Sequence, residues 1–116
     1  MTAPKLVLFD AYGTLFDVYS VASKAEQLFA GSGNALSALW RDKQIEYTRL
    51  RAMAGQYKPF WGITIDALQY ACEALKLDLT SEKQSELLQA YSSLTAYPEN
   101  AGVLQALKDK GIKTGI

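Results

Sequence analysis

Asp10 ends the apolar run Leu6-Val7-Leu8-Phe9, and Gly13 and Thr14 follow it within a turn. The run is rich in β-formers and predicts a strand buried on both faces, as in the middle of a parallel sheet. A carboxylate at the carboxyl end of such a strand lies where open α/β sheets place their ligands, in the crevice beyond the strand ends. That position is a catalytic address. The same residues also satisfy Asp-x-x-Gly turn chemistry, and taken alone they leave both readings open. Histidine is absent and there is one cysteine, which excludes Ser-His-Asp and Cys-His nucleophile pairs within this chain and argues against a zinc site. Catalysis would have to run on carboxylate, Arg, Lys and hydroxyl groups.

These groups must be positioned by a chain of 116 residues, enough for one domain's core. Twelve basic and twelve acidic residues cancel, which removes a whole-chain electrostatic case for nucleic acid or an anionic membrane and favours a small-molecule partner. No apolar run approaches the roughly 20 residues of a membrane span, and the first residues lead straight into a strand. A cytoplasmic location is the default expectation. Cys72 lies in a helical pattern and reads as a small buried filler.

Beyond Asp17 the pattern turns helical. Val18, Val21, Ala22, Ala25, Leu28 and Phe29 predict a helix over 18–30, stopped by Gly31-Ser32-Gly33-Asn34. A longer helix over 35–54 has Leu36, Leu39, Trp40, Tyr47, Leu50 and Met53 as its expected core stripe, with Arg41 and Ile45 one turn apart beside it. Residues 55–62 read as a loop around Pro59 from which Phe60 and Trp61 project, and a third helix is expected over 63–75. Ser81-Glu82-Lys83-Gln84 matches a capping box that opens a fourth. A fifth is expected over 101–110 with Val103, Leu104 and Leu107 inward, Gly111 as its stop and a second strand from Ile112. Asp17 is a candidate helix cap.

The run Phe9-Asp10-Ala11-Tyr12-Gly13-Thr14-Leu15-Phe16-Asp17 resembles the first motif of the haloacid dehalogenase superfamily, an apolar strand, Asp, two residues and Gly-Thr-Leu. In that superfamily the first Asp is the nucleophile, and Asp10 holds its place. Phosphatase members have a second acid two residues later, which protonates an alkoxide leaving group; here that position is Tyr12. A halide leaves without a proton, so losing the acid is tolerable for carbon–halogen cleavage and costly for phosphate esters. A second segment, Leu39-Trp40-Arg41-Asp42-Lys43-Gln44-Ile45-Glu46-Tyr47, is similar to one specific to type II (S)-2-haloacid dehalogenases, and Tyr57-Lys58-Pro59-Phe60-Trp61 follows at the family's spacing. Asp42 departs from the pattern, which usually has Gln there.

The resemblance implies an α/β fold: the N-terminal part of a Rossmann-like parallel-sheet core, with a helical-bundle cap inserted after the first strand. The expected division is 1–16 for the first strand and catalytic loop, 17–96 for the cap, and 97–116 for a core helix and the start of the second strand. It implies hydrolytic dehalogenation of short (S)-2-haloalkanoic acids to (R)-2-hydroxy acids through an aspartyl ester on Asp10, with no cofactor and no metal. Thr14 is implied as the nucleophile's hydroxyl partner. Ala11 and Tyr12 would offer backbone amides to the substrate carboxylate. Arg41 would hold the halogen or that carboxylate, its permanent charge and donor fork suiting an anion; without the resemblance it reads as a surface helix Arg. Trp40, Ile45 and Phe60 would wall the pocket, although aromatics at such positions are often plain core. A homodimer through the helical insertion is implied as well. The alternatives are a magnesium-dependent phosphohydrolase of the same superfamily, or an inactive partial domain. Superfamily members complete their sites with a later Ser or Thr, a Lys and further polar residues, so the 116-residue chain by itself is expected to be an incomplete enzyme.

Overall fold

The computed structural model describes residues 2–116. It divides into an α/β unit, which joins the chain up to Val18 with Leu94–Ile116, and a helical unit, Tyr19–Ser93. In the α/β unit, β1 (Leu6–Leu8) pairs in parallel with β4 (Lys113–Gly115), Val7 standing opposite Thr114. The Phe9 amide extends the ladder by donating to the Gly115 carbonyl at 2.8 Å. Parallel strands need a long crossover rather than a hairpin, and α5 (Asn100–Asp109) supplies its last part before β4. Gly111 closes α5: its amide donates to the Lys108 carbonyl and the Ile112 amide to that of Leu107, the pairing of a Schellman stop. A mixed α/β architecture with a small parallel sheet is the result.

Two expectations for this unit are corrected. The strand is not buried on both faces, since Leu6 is 50% and Leu8 70% exposed. Among the described residues its sheet has two strands, and α5 packs on β4, so no second layer covers β1. For the same reason Val103 is exposed rather than inward, while Leu104 and Leu107 are half-buried. Where the chain leaves and re-enters the unit, β2 (Phe16–Asp17) pairs antiparallel with β3 (Thr95–Ala96), Asp17 opposite Thr95. Strands this short have no readable periodicity.

A 3₁₀ turn (Val18–Val21) carries the chain into the helical unit and leads into α1 (Ala22–Leu28), followed by α2 (Gly33–Met53), α3 (Phe60–Ala74) and α4 (Ser81–Tyr91). The helix α2 packs on α1 and α3, and α4 packs on α1. Ala25, Leu36, Ala67, Leu68, Ala71 and Leu87 are fully enclosed between them. The stripe of α2 differs from expectation. Leu36, Ser37, Trp40 and Gln44 are buried, Leu39 and Tyr47 are half-buried, and Leu50 and Met53 are exposed. Steps of four along α2 keep 36, 40 and 44 facing its neighbours, and a polar Gln44 takes a place that an apolar count assigns further along. Phe60 and Trp61 lie in the first turn of α3 rather than in a loop, because Pro59 caps that helix and its carbonyl accepts the Ile63 amide at 3.2 Å. The cap of α4 is Thr80, one residue earlier than the expected box; its hydroxyl accepts the Lys83 amide at 3.2 Å. Gly33 and Asn34 belong to α2 itself rather than to the stop before it.

The turn between α1 and α2 is tied by one side chain. The two carboxylate oxygens of Glu26 accept the amides of Gly31 (2.7 Å) and Gly33 (2.9 Å), placing negative charge at the amino end of α2. The Gly31 bond and then the Gly33 bond hold this carboxyl below its ordinary value of 4.5. Its contribution to stability is therefore complete above about pH 4.5 and is lost as pH falls through the lowered value. Thermal melts should show Glu26→Gln less stable than the parent at neutral pH, with the gap closing in acid; a gap independent of pH would remove the carboxylate from this role. Gly33 is a close-approach residue: a Cβ there would sit 2.7 Å from the Ala22 carbonyl oxygen, a backbone atom that cannot swing aside. Gly33→Ala should lower unfolding free energy by about 1–3 kcal/mol in urea titrations.

Candidate active site

Asp10 stands just past the end of β1 and is exposed. Beyond it the chain wraps around one acceptor: the Ala11 carbonyl takes the amides of Thr14 (3.3 Å), Leu15 (2.9 Å) and Phe16 (3.0 Å). Gly13 makes this possible with φ of 84°, in the left-handed region, while its amide donates to the Phe16 carbonyl at 2.9 Å. The Asn100 amide nitrogen then clamps the loop, donating to the Leu15 carbonyl at 2.7 Å and the Thr14 carbonyl at 3.1 Å. Ala11, Tyr12 and Thr14 thus sit on a short loop pinned from the first turn of α5. Sequence reasoning missed Asn100. No local pattern connects it to a loop so far back in the chain, and only the fold brings them together.

In the helical unit Arg41 is half-buried on α2, and its Nη1 donates to Gln44 Oε1 at 2.8 Å. Gln44 is fully buried; the same oxygen accepts the Tyr91 hydroxyl at 2.8 Å, and Gln44 Nε2 donates to Thr64 Oγ1 at 2.8 Å. Thr64 Oγ1 donates in turn to the Phe60 carbonyl at 2.9 Å, and the Thr64 carbonyl accepts Trp40 Nε1 at 2.9 Å. The signal that could have drawn attention to this group was a glutamine, a threonine and a tyrosine at positions facing other helices.

Ile45 and Phe60 are 39% and 37% exposed and remain available as apolar walls. Trp40 is not: at 1% exposure, with its ring 5.2 Å from that of Tyr91, it belongs to the core of the helical unit. Phe60 helps to line a cavity of about 320 Å³ with Thr48, Arg51, Lys58 and Ile63. A larger one of about 520 Å³ between Tyr47, Leu50, Arg51 and Asp66 includes none of the expected site residues. Cys72 is buried as expected, and burial pushes its thiol up to about 11, a protonation state unsuited to nucleophilic work. Among the described residues, no helix is long and apolar enough to cross a membrane.

An exposed aspartate directly after the first strand of a parallel pair, with a helical unit inserted in the chain between the two strands, defines a mixed α/β protein. The chain belongs to the haloacid dehalogenase-like hydrolase family, whose model matches residues 4–116. It is 46% identical over 109 residues to an (S)-2-haloacid dehalogenase of Pseudomonas fluorescens, covering 94% of this chain and 48% of that protein. Among solved structures, an L-2-haloacid dehalogenase matches with a TM-score of 0.93 at 55% identity, over 99% of this chain and 52% of that one. The L-2-haloacid dehalogenase of Xanthobacter autotrophicus with chloropropionic acid covalently bound matches with a TM-score of 0.87 at 42% identity, over 97% of this chain and 45% of that one. The chain therefore spans about half the length of the relatives it matches.

Proposed function

We propose that this chain carries the nucleophile of an (S)-2-haloacid dehalogenase, and that the activity belongs to a protein that also holds the later polar groups of the fold. The observation that carries this reading is Tyr12, two residues after an exposed strand-end aspartate, where an acid would be needed to protonate an alkoxide. A relative with chloropropionic acid covalently bound supports it. Asp10 attacks C2 of a short (S)-2-haloalkanoate from the side opposite the halogen; the new C–O bond forms as the C–halogen bond breaks and halide departs with its electron pair. Water then adds to the ester carbonyl, the Asp10 acyl–oxygen bond breaks, the (R)-2-hydroxy acid leaves with the original carboxylate oxygen, and a proton is released. Splitting the displacement into two steps is the advantage of covalent catalysis.

Thr14 is the hydroxyl neighbour of the nucleophile in this reading, the Ala11 and Tyr12 amides receive the substrate carboxylate, and Arg41 holds the anion with Ile45 and Phe60 as apolar walls. A cytoplasmic homodimer joined through the helical unit completes the reading; sedimentation at several concentrations tests the dimer. The decisive experiment is a single turnover of the complete enzyme in ¹⁸O-labelled water, after which the label should reside on Asp10. Label found only in the hydroxy acid would make water the nucleophile. Halide release from 2-chloropropionate should be insensitive to a chelator, whereas chelator-sensitive phosphate release would return the protein to the phosphohydrolase branch. Arg41→Ala should cost about 1.5–3 kcal/mol in kcat/KM, the worth of a hydrogen bond to a charged group; kinetics within about twofold of the parent would make Arg41 an ordinary helix residue.

A further inference from the structure

The hydrogen-bond chain through Gln44 has a direction that chemistry dictates. The Phe60 carbonyl can only accept, so the Thr64 hydroxyl spends its proton there and can only accept from Gln44. The Gln44 amide must then present its nitrogen to Thr64 and its oxygen to Arg41 and Tyr91, since both of those donate. A glutamine fully enclosed in a helical core is an expensive choice where Leu or Met would fill the same space. Its orientation is locked at both ends, and the group touches three residues of the helical unit that the sequence singled out. Arg41 Nη1 is held by Gln44, the Phe60 backbone by Thr64, and Trp40 Nε1 by the Thr64 carbonyl.

Building on the proposed dehalogenase reading, we propose that Gln44, oriented by Thr64, is the positioning residue that sets the Arg41 guanidinium for the substrate anion. Gln44 touches no substrate in this account; it acts through Arg41, and Trp40 serves the same frame from the core side. The amide oxygen sets one edge of a planar cation, so losing it removes an orienting contact of the guanidinium without removing the charge.

The test uses the complete enzyme. Gln44→Met should lower kcat/KM about tenfold to a hundredfold, the usual cost of a small misplacement of a catalytic group. In an Arg41→Ala background the same change should have no further kinetic effect. Multiplicative losses in the double variant would make Gln44 a merely structural residue and overturn the proposal. Cys72→Ala, a core change outside the network, should leave kcat/KM unchanged while lowering stability. Should Gln44→Met fail to fold, Thr64→Val, which removes the acceptor that orients the amide, should reproduce the kinetic loss. A readout independent of turnover is the ¹⁵N-edited NMR signal of the Arg41 side chain, expected to broaden in either variant and to be unaltered in Cys72→Ala. A damaging Arg41→Ala beside parent-like Gln44→Met and Thr64→Val kinetics defeats the positioning role and leaves the dehalogenase reading standing. A silent Arg41→Ala defeats the positioning role and makes Arg41 an ordinary helix residue, whereas a parent that releases no halide defeats the dehalogenase reading and this one together.

Discussion

Asp10→Asn should slow halide release from a 2-haloalkanoate at least about a thousandfold, a barrier increase of about 4 kcal/mol. The amide matches the carboxylate in shape but lacks its charge, and its lone pairs are too weakly basic to displace a halide from carbon. Asparagine is nearly isosteric with aspartate, so the far-ultraviolet circular dichroism should match the parent. Slow deamidation would restore aspartate, so the mass of the variant must be checked before and after the assay. A verified Asn variant that keeps more than about a tenth of the parent rate would take the nucleophile away from this position.

The largest stability effect is expected at Trp40. Trp40→Ala should lower the free energy of unfolding by about 3–5 kcal/mol, the range for deleting a buried large aromatic. The indole is 1% exposed, donates to the Thr64 carbonyl at 2.9 Å and packs at 5.2 Å on the Tyr91 ring. Trp40→Phe keeps most of the apolar volume and loses the donor, so it should cost less while leaving the Thr64 carbonyl short of a partner. Urea unfolding followed by circular dichroism measures both. A loss below about 1 kcal/mol for the alanine variant would contradict the burial and favour a role as a cavity wall instead.

Trp40 also marks how far the sequence could be followed. Its spacing with Leu36 placed it on the inner face of α2, and that alone could not distinguish a wall of a substrate pocket from the middle of a core. Only the neighbouring helices decide this, because burial is a property of what covers a side chain. Gln44 shows the reverse error. A search for apolar periodicity passes over a glutamine and runs on to Leu50 and Met53, yet these are exposed and Gln44 is enclosed, since partners for its amide come from α3 and α4.

What the sequence determined by itself is the chemistry available and its order along the chain. A strand followed by Asp10, a loop with Gly13 at its tight point, a helical stretch with Arg41 on it, and a return to the sheet through α5 and β4 all follow from residue type and spacing. Gly111 marked the end of α5, and the box expected at Ser81 lies one residue past the actual cap, Thr80, whereas Pro59 read as the middle of a loop and caps α3 instead. The absence of histidine narrowed the catalytic groups available, and Tyr12 in place of a second acid narrowed the reaction only through the resemblance to a family. Tertiary structure decided the contacts between residues far apart in the chain. Asn100 clamps the loop after Asp10, and Thr64 and Tyr91 orient Gln44 against Arg41. Such contacts leave no periodic trace, because a hydrogen bond between distant segments depends on where the whole backbone brings two polar groups and not on the residues beside either of them.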